Sequence, residues 1–402
     1  MAKRSLPGVD DRPDVLRRRR DLKMARSPHA YVRGNTVQFY EWLKDLDSER
    51  APRGPAIWIC GDCHAGNIGP VADADGNVLV QIRDLDQTVI GSPAHDIIRL
   101  GLSLASAARG SNLPGVTTAR ILEAIIEGYE GAFSQDEELA DLVKPESVKF
   151  VLRLAAKRRW RHLARERLED TSPRIPLGKR FWPITSAEAQ AIEYLMGDDE
   201  MQVLAKLLRS RDDDAKVRVV DAAYWMKGCS SLGLLRYAVL LGVSRPKSSV
   251  EDLCLMDIKE AGPAAAPTYA GCEMPADSAE RVVAGAQHLS PLLGERMRAA
   301  TLLDRPVFVR ELLPQDLKVE IDQLSHTEAM LAARYLAAVV GIAHARQMND
   351  VDRRSWREAL QKRRSVDLDA PSWLWTSVVE LLVNHEGAYL EHCRTYALEP
   401  LT

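Results

Sequence analysis

The stretch that most limits the fold is AIWICGDCHAGNIGPVADADGNVLVQIRDLDQTVIGSPAHDIIRL, residues 56–100. Ala56–Cys60 is a short apolar run and reads as a strand. A polar, glycine-bearing loop follows from Gly61 to Gly69. DADGN, with Asp-Gly as its signal, is a hairpin turn. Val78–Ile82 is a second strand, and Asp84 and Asp86 stand just past it. From Asp96 to Ala108 the apolar residues Ile97, Ile98, Leu100 and Leu104 recur at helical spacing. Strand, polar loop, hairpin, strand and helix therefore surround one group of carboxyl and amide side chains.

The same loop contains CGDCH, residues 60–64, which matches the C-x-x-C-H signature of covalent haem attachment. That chemistry takes place outside the cytoplasm. The N-terminus has Arg17 to Arg20 but no apolar segment after them, so neither a Sec nor a twin-arginine signal is read and a cytoplasmic location is expected. Zinc needs about four ligands, usually as two spaced pairs, and no second C-x-x-C or H-x-x-x-H occurs. A thioredoxin-like motif would cap a helix, but Gly66 and Asn67 break one at once. Cys60, Cys63, Cys229, Cys254, Cys272 and Cys393 are expected to be reduced thiols. The 54 Lys and Arg nearly balance the 57 Asp and Glu, so no nucleic-acid partner is expected. No apolar run reads as long enough to span a bilayer, so no membrane partner is expected.

A loop Asp, an Asn five residues on and an Asp after a short hairpin suit phosphoryl transfer. Asp62 can take the proton of an acceptor hydroxyl. Asn67 and the later Asp offer hard oxygen ligands to Mg²⁺, which binds few protein groups and leaves the rest to phosphate and water. The arrangement resembles the catalytic half of the protein-kinase-like superfamily, closest to the aminoglycoside, choline and homoserine phosphotransferases. The resemblance implies Asp62 as catalytic base, His64 as a residue shaping the loop, and Asn67 and Asp84 as metal ligands. It adds Asp86 as a second metal contact. Asp96 would accept hydrogen bonds from the loop backbone. Cys60 departs from the pattern, standing where that group has His.

A kinase also needs a glycine-rich strand-turn-strand and a strand Lys, normally before the catalytic loop. Here they follow it. VRVVDAAYWMKGCSSLGLLRYAVLLGV, residues 217–243, reads as strand, turn, strand. Gly228, Ser230, Ser231 and Gly233 form the turn, and its amides would cover phosphates. Lys259 lies on the apolar strand 253–261 and is read as a phosphate ligand. Glu280, on a short helix at 279–289, is the candidate carboxylate for Lys259, with Glu273 behind it. Val307–Arg310 is a strand whose extended exit, Glu311 to Pro314, would hold adenine as a hinge, with Glu311 and Leu313 as the contacts. Helices are read at 36–49, 116–133, 145–170, 186–207, 325–347 and 371–397. Residues 27–35 read as an extended stretch ending in a turn.

Across the chain KMARSPHAYVRGN, GDCHAGNIG, RDLDQT, GCSSLGLLRY, DIKEA, ERVVAGAQ and AHAR are similar to the bacterial domain-of-unknown-function family 2252. The expected fold is thus α+β, a circularly permuted protein-kinase-like fold. A small antiparallel-sheet nucleotide lobe would occupy 213–318 and a larger helical lobe 55–212, with an N-terminal extension (1–54) and C-terminal helices (319–402) packing on the helical lobe. The expected activity is ATP- and Mg²⁺-dependent transfer of the γ-phosphoryl group to a hydroxyl acceptor, a small molecule on the likeness. The alternatives are adenylyl transfer to a protein and nucleotide binding without turnover.

Overall fold

The structure is a computed structural model, and it describes residues 7–45, 51–111, 113, 115–133, 143–158, 174–228, 232–244, 251–317, 325–361 and 370–396. It is a mixed α+β protein, with many helices and small antiparallel sheets. The chain opens on three helices, α1 (Arg12–Met24), α2 (Pro28–Gly34) and α3 (Thr36–Asp45). Helix α2 replaces the extended stretch expected at 27–35. Its start is set by Ser27, whose hydroxyl accepts from Ala30 N–H, and by Pro28 in the first turn, a pair of signals that favours helix initiation.

Strand β1 (Ile57–Ile59) leads into the Gly61–Gly69 loop, and β2 (Ile68–Ala72) pairs antiparallel with β3 (Val78–Ile82) across the Asp-Gly hairpin. Strand β4 (Val89–Gly91) then returns to pair with β1. Ser92 caps α4 (Pro93–Gly110), which is followed by α5 (Gly115–Gly131) and α6 (Glu146–Lys157). The expected helix 145–170 ends at Lys157 in the described part, and residues 159–173 lie outside the described residues.

Six strands form the larger sheet. They are β5 (Phe181–Trp182), β6 (Lys216–Trp225), β7 (Arg236–Ser244), β8 (Glu251–Glu260), β9 (Met297–Leu302) and β10 (Arg305–Glu311), in the order β5-β6-β7-β8-β10-β9. Successive residues of a strand face opposite sides, and β7 is buried on both. Tyr237, Val239 and Leu241 pack with Ile192, Leu195, Met201 and Leu204 of α7 (Ser186–Met196) and α8 (Asp199–Lys206). Ala238 and Leu240 pack with Phe181, Trp225, Leu255 and Leu312 on the other face. Residues 181–206, read from sequence within the helical lobe, thus belong to the sheet. One helix expected at 186–207 is two, parted at Gly197–Asp198, where Asp198 caps the second.

Helices α9 (Ser278–Leu289) and α10 (Pro291–Glu295) cross from β8 to β9. Helix α11 (His326–Ala345) is the axis of the helical body, joined by α12 (Asp350–Gln361) and α13 (Ser372–Tyr396). Among the described residues α11 is the one helix long and apolar enough to cross a membrane, and 72% of that stretch is buried inside the protein. Its small side chains let α5 come close: a Cβ at Gly128 would overlap the Arg334 carbonyl of α11. Past the end of α11, Gln347 accepts from Trp58 N–H (2.9 Å) and donates to the Trp58 carbonyl (3.0 Å), fastening the helix end to β1. The N-terminal helix is not confined to the helical body. Arg12 of α1 pairs with Glu188 of α7 at 2.6 Å, and His392 of α13 lies 2.8 Å from the Asp21 carbonyl.

Candidate active site

The loop after β1 is held from below by one carboxylate. Asp96, in the first turn of α4, accepts from Cys60 N–H (2.7 Å) and Gly61 N–H (3.0 Å). It is fully buried, and His344 Nε2 of α11 lies 3.2 Å from the same carboxylate. His344 Nδ1 is 2.8 Å from the Tyr129 hydroxyl, which accepts from Trp356 Nε1–H. An ionised carboxylate only accepts, so this chain fixes the tautomer with the proton on Nε2. Gly61 has φ +73°, and a Cβ there would overlap the Gln87 carbonyl, so the turn into the loop requires glycine.

Asp62 projects from this braced loop and is nearly buried. Burial raises its pKa, against the pull of Arg99, which donates from Nε to Oδ1 at 2.9 Å. Arg99 is itself fully buried and also donates to the Val32 carbonyl of α2 (2.7 Å). His64 Nε2 stands 4.0 Å from Asp62 Oδ2, and the His64 carbonyl accepts from Asn67 N–H at 2.8 Å, closing the loop. Asn67 Nδ2 donates to the Asp62 carbonyl at 3.0 Å, which leaves its amide oxygen for another ligand.

Lys259 approaches from the sheet. Its Nζ bonds Asp86 and lies 3.6 Å from Asp84 Oδ1. Two carboxylates share one cation, and they respond in opposite directions. Partial desolvation opposes ionisation of half-exposed Asp84, but Lys259 and Arg310 hold its pKa below the ordinary carboxylate range. Burial and then the Asp84 charge push Asp86 up to about 6. Beside Lys259, Arg236 binds Asp257 through two bonds of 2.8 and 2.6 Å, and Arg310 approaches the same carboxylate at 3.3 Å. Register explains the cluster. Arg236 opposes Lys259 across β7–β8, and Arg310 opposes Asp257 across β8–β10, so all four side chains share the face turned to the loop.

Arg236 and Arg310 line a cavity of about 270 Å³ together with Asp62, His64, Asn67, Arg83, Asp84 and Gly228. Gly228 brings the β6–β7 turn to the cavity, and its carbonyl accepts from Lys23 Nζ of α1 at 2.6 Å. Gly233 sits at the other end of the turn, with open space where a Cβ would be. Ser230 and Ser231 lie outside the described residues.

Two sequence assignments are corrected. Glu280 is exposed on α9, as is Glu273 before it, and neither reaches Lys259, whose carboxylates are Asp84 and Asp86. The inward residue of α9 is its neighbour Arg281, which bonds the carbonyls of Asp86 (2.9 Å), Gly262 (2.8 Å) and Thr88. Adjacent helix positions point about 100° apart, and the helical frame chose Arg281. The hinge is also occupied. The Glu311 carbonyl accepts from Arg296 (2.9 Å), and the Glu311 carboxylate is held by Arg211. Leu312 N–H donates to Leu255 and Leu313 N–H to Asp316. The Glu311 carbonyl and the Leu312 and Leu313 N–H groups, where adenine binding was expected, thus already have protein partners.

Sequence reasoning missed Arg99, Arg281, Arg296 and Asp257. An Arg on a helix ordinarily reads as solvated, and Asp257, within the inner strand β8, is buried by strands that pair with it on both sides; their burial is a tertiary fact.

Fold and site together define an α+β protein whose polar cleft joins a braced Asp-bearing loop to a cationic sheet face. The chain belongs to the family described as Uncharacterized protein conserved in bacteria (DUF2252), whose model matches residues 12–395. No curated protein and no solved structure matches it.

Proposed function

We propose that this chain is a circularly permuted protein-kinase-like phosphotransferase that moves the γ-phosphoryl group of ATP to a hydroxyl acceptor. The observation that carries the reading is the convergence of Asp62, Asn67 and Asp84 on one cavity, with Lys259, 197 positions from Asp62 (259 minus 62), 3.6 Å from Asp84. The order of parts supports it as well. Catalytic loop, metal Asp, helices, glycine turn, Lys strand and long helix are the kinase order cut ahead of the catalytic loop. The fastening of Gln347 to Trp58 closes that cut in space.

The residues fit Mg²⁺. Asn67 and Asp84 present two hard oxygen donors to one cavity, and the Asp84 side chain is 47% exposed, so water and phosphate can complete the shell. The ion would supply charge neutralisation between donor phosphates. Lys259, displaced from Asp84 by the ion, would bind phosphate oxygens. Asp62 orients the acceptor hydroxyl and takes its proton. The bond from γ-phosphorus to the bridging oxygen breaks, ADP leaves with that electron pair, and the acceptor oxygen forms the new bond to phosphorus. Burial lifts the pKa of Asp62 against the pull of Arg99, and a carboxylate base suffices where positioning dominates and the proton leaves late.

The occupied hinge favours a second reading, adenylyl transfer, in which the nucleotide enters the other way round and needs no hinge. Labelled ATP separates the two. Purified protein, Mg²⁺ and a fractionated bacterial metabolite pool are incubated with γ-labelled or α-labelled ATP. The proposal expects γ-label on an acceptor, lost in Asp84→Asn; α-label on the acceptor would establish adenylyl transfer instead.

A further inference from the structure

The catalytic residues do not use every cation of the cleft. Arg236 and Arg310 share Asp257, Arg99 pairs with Asp62, and Lys259 with Asp84 and Asp86. Arg33 differs. It stands at the end of α2 with its guanidinium against the catalytic loop, where a Cβ on Gly66 would lie 2.8 Å from its Nη2. It lines the cavity, and no carboxylate or carbonyl among the described residues pairs with it. Lys23 and Lys227 line the same cavity, so three of its cations come from α1, α2 and the glycine turn. Arg83, also lining it, binds the Asp316 carbonyl through Nη2, and its buried Nη1 has no hydrogen-bond partner. A planar guanidinium held beside the base-bearing loop, with five donors and no acceptor to meet them, is the arrangement that binds an oxyanion through paired hydrogen bonds.

Position decides which oxyanion. Lys259, Asp84 and Asn67 are the groups assigned to the donor phosphates and their metal. Arg33 instead touches the loop at Gly66, between the base Asp62 and the ligand Asn67, on the side supplied by the N-terminal helices. We infer that the acceptor itself carries a phosphate group and that Arg33 binds it, with Arg83 Nη1 and the two lysines adding charge. This deepens the phosphotransferase reading and rests on it for the word acceptor; the phosphate site stands on the cavity alone.

The test titrates inorganic phosphate into the full chain by calorimetry, in the presence of Mg²⁺ and a saturating non-hydrolysable ATP analogue that blocks the donor site. The analogue is titrated separately. Wild type, Arg33→Met and Arg33→Lys are compared, with thermal melts to show that each is folded. The expected result is a ternary complex, with phosphate bound roughly tenfold or more weakly by Arg33→Met, since a charge-assisted hydrogen bond is worth that much. Arg33→Lys should recover part of the loss, and the affinity for the analogue should not change. Competition between phosphate and analogue, or an equal loss of both in Arg33→Met, would place Arg33 in the donor site and overturn the inference. Acetate binding as tightly as phosphate would overturn the phosphate class, and no phosphate binding would end the proposal. Arg33-dependent phosphate binding without any analogue binding would leave the phosphate site in place and remove the kinase reading.

Discussion

Asp62 is a carboxylate in a nearly dry site, kept there by a guanidinium that is drier still. Removing one partner of such a pair leaves an uncompensated buried charge and costs about 3–5 kcal/mol. Arg99→Met should therefore destabilise the chain by about that amount, read from urea unfolding. Asp62→Asn keeps the shape of the site but leaves buried Arg99 without its counter-charge, so it carries a similar stability cost and is assayed on protein shown to be folded. It should lower transfer by about 10²–10⁴-fold, the usual worth of a positioned general base, while nucleotide affinity stays near wild type. Equal loss of both would make Asp62 a structural residue. Asp257 gives the pH test. Burial opposes its ionisation, but Arg236 and Arg310 hold its pKa well below the ordinary carboxylate range. A depressed folded pKa contributes stability that is present above the unfolded value, about 3.9, and is lost as pH falls toward the folded one. The stability gap between wild type and Asp257→Asn should be widest near neutrality and narrow below about pH 4. A gap that stays constant down to pH 3 would contradict the pairing.

The elements were legible in the sequence where their signals are local. The Asp-Gly hairpin, the strands around the Gly61–Gly69 loop and the apolar helix at 326–345 follow from turn chemistry and periodicity. The Asp96 brace was legible too, through the resemblance, and its two backbone bonds are in place. Helix α2 was hidden because its seven residues hold too few turns to show a period, although Ser27-Pro28 announces its start. The two-residue β5 has no pattern of its own and exists by pairing Phe181 and Trp182 with β6. The inward turn of Arg281 depends on where α9 docks, which periodicity alone leaves open. Close packing of α5 on α11 makes its own prediction. Gly128→Ala must force the helices apart and should cost about 1–3 kcal/mol, the range for overpacking, measured as a lowered unfolding midpoint. An unchanged midpoint would mean that the two helices do not meet at the Arg334 carbonyl.

At the scale of the whole molecule, a sheet that follows the Asp62 loop in sequence is folded back over it. The six strands bring the Lys259 face to Asp84, and α1 ties the glycine turn to the helical body through Lys23 and Gly228. The covalent order of parts matters less than which surfaces pack, because chain breaks fall at exposed connections. The central claim is that this closed arrangement binds a metal–nucleotide at Asp84 and Lys259. Thermal unfolding with ATP and Mg²⁺ tests it most directly, on wild type, Asp84→Asn and Lys259→Met. Ligand at 100 times its dissociation constant should stabilise the wild type by about 2.7 kcal/mol, and both variants should lose most of that shift while their unliganded melts remain cooperative. A wild type that does not shift with ATP and Mg²⁺, or variants that shift as fully as the wild type, would contradict the account.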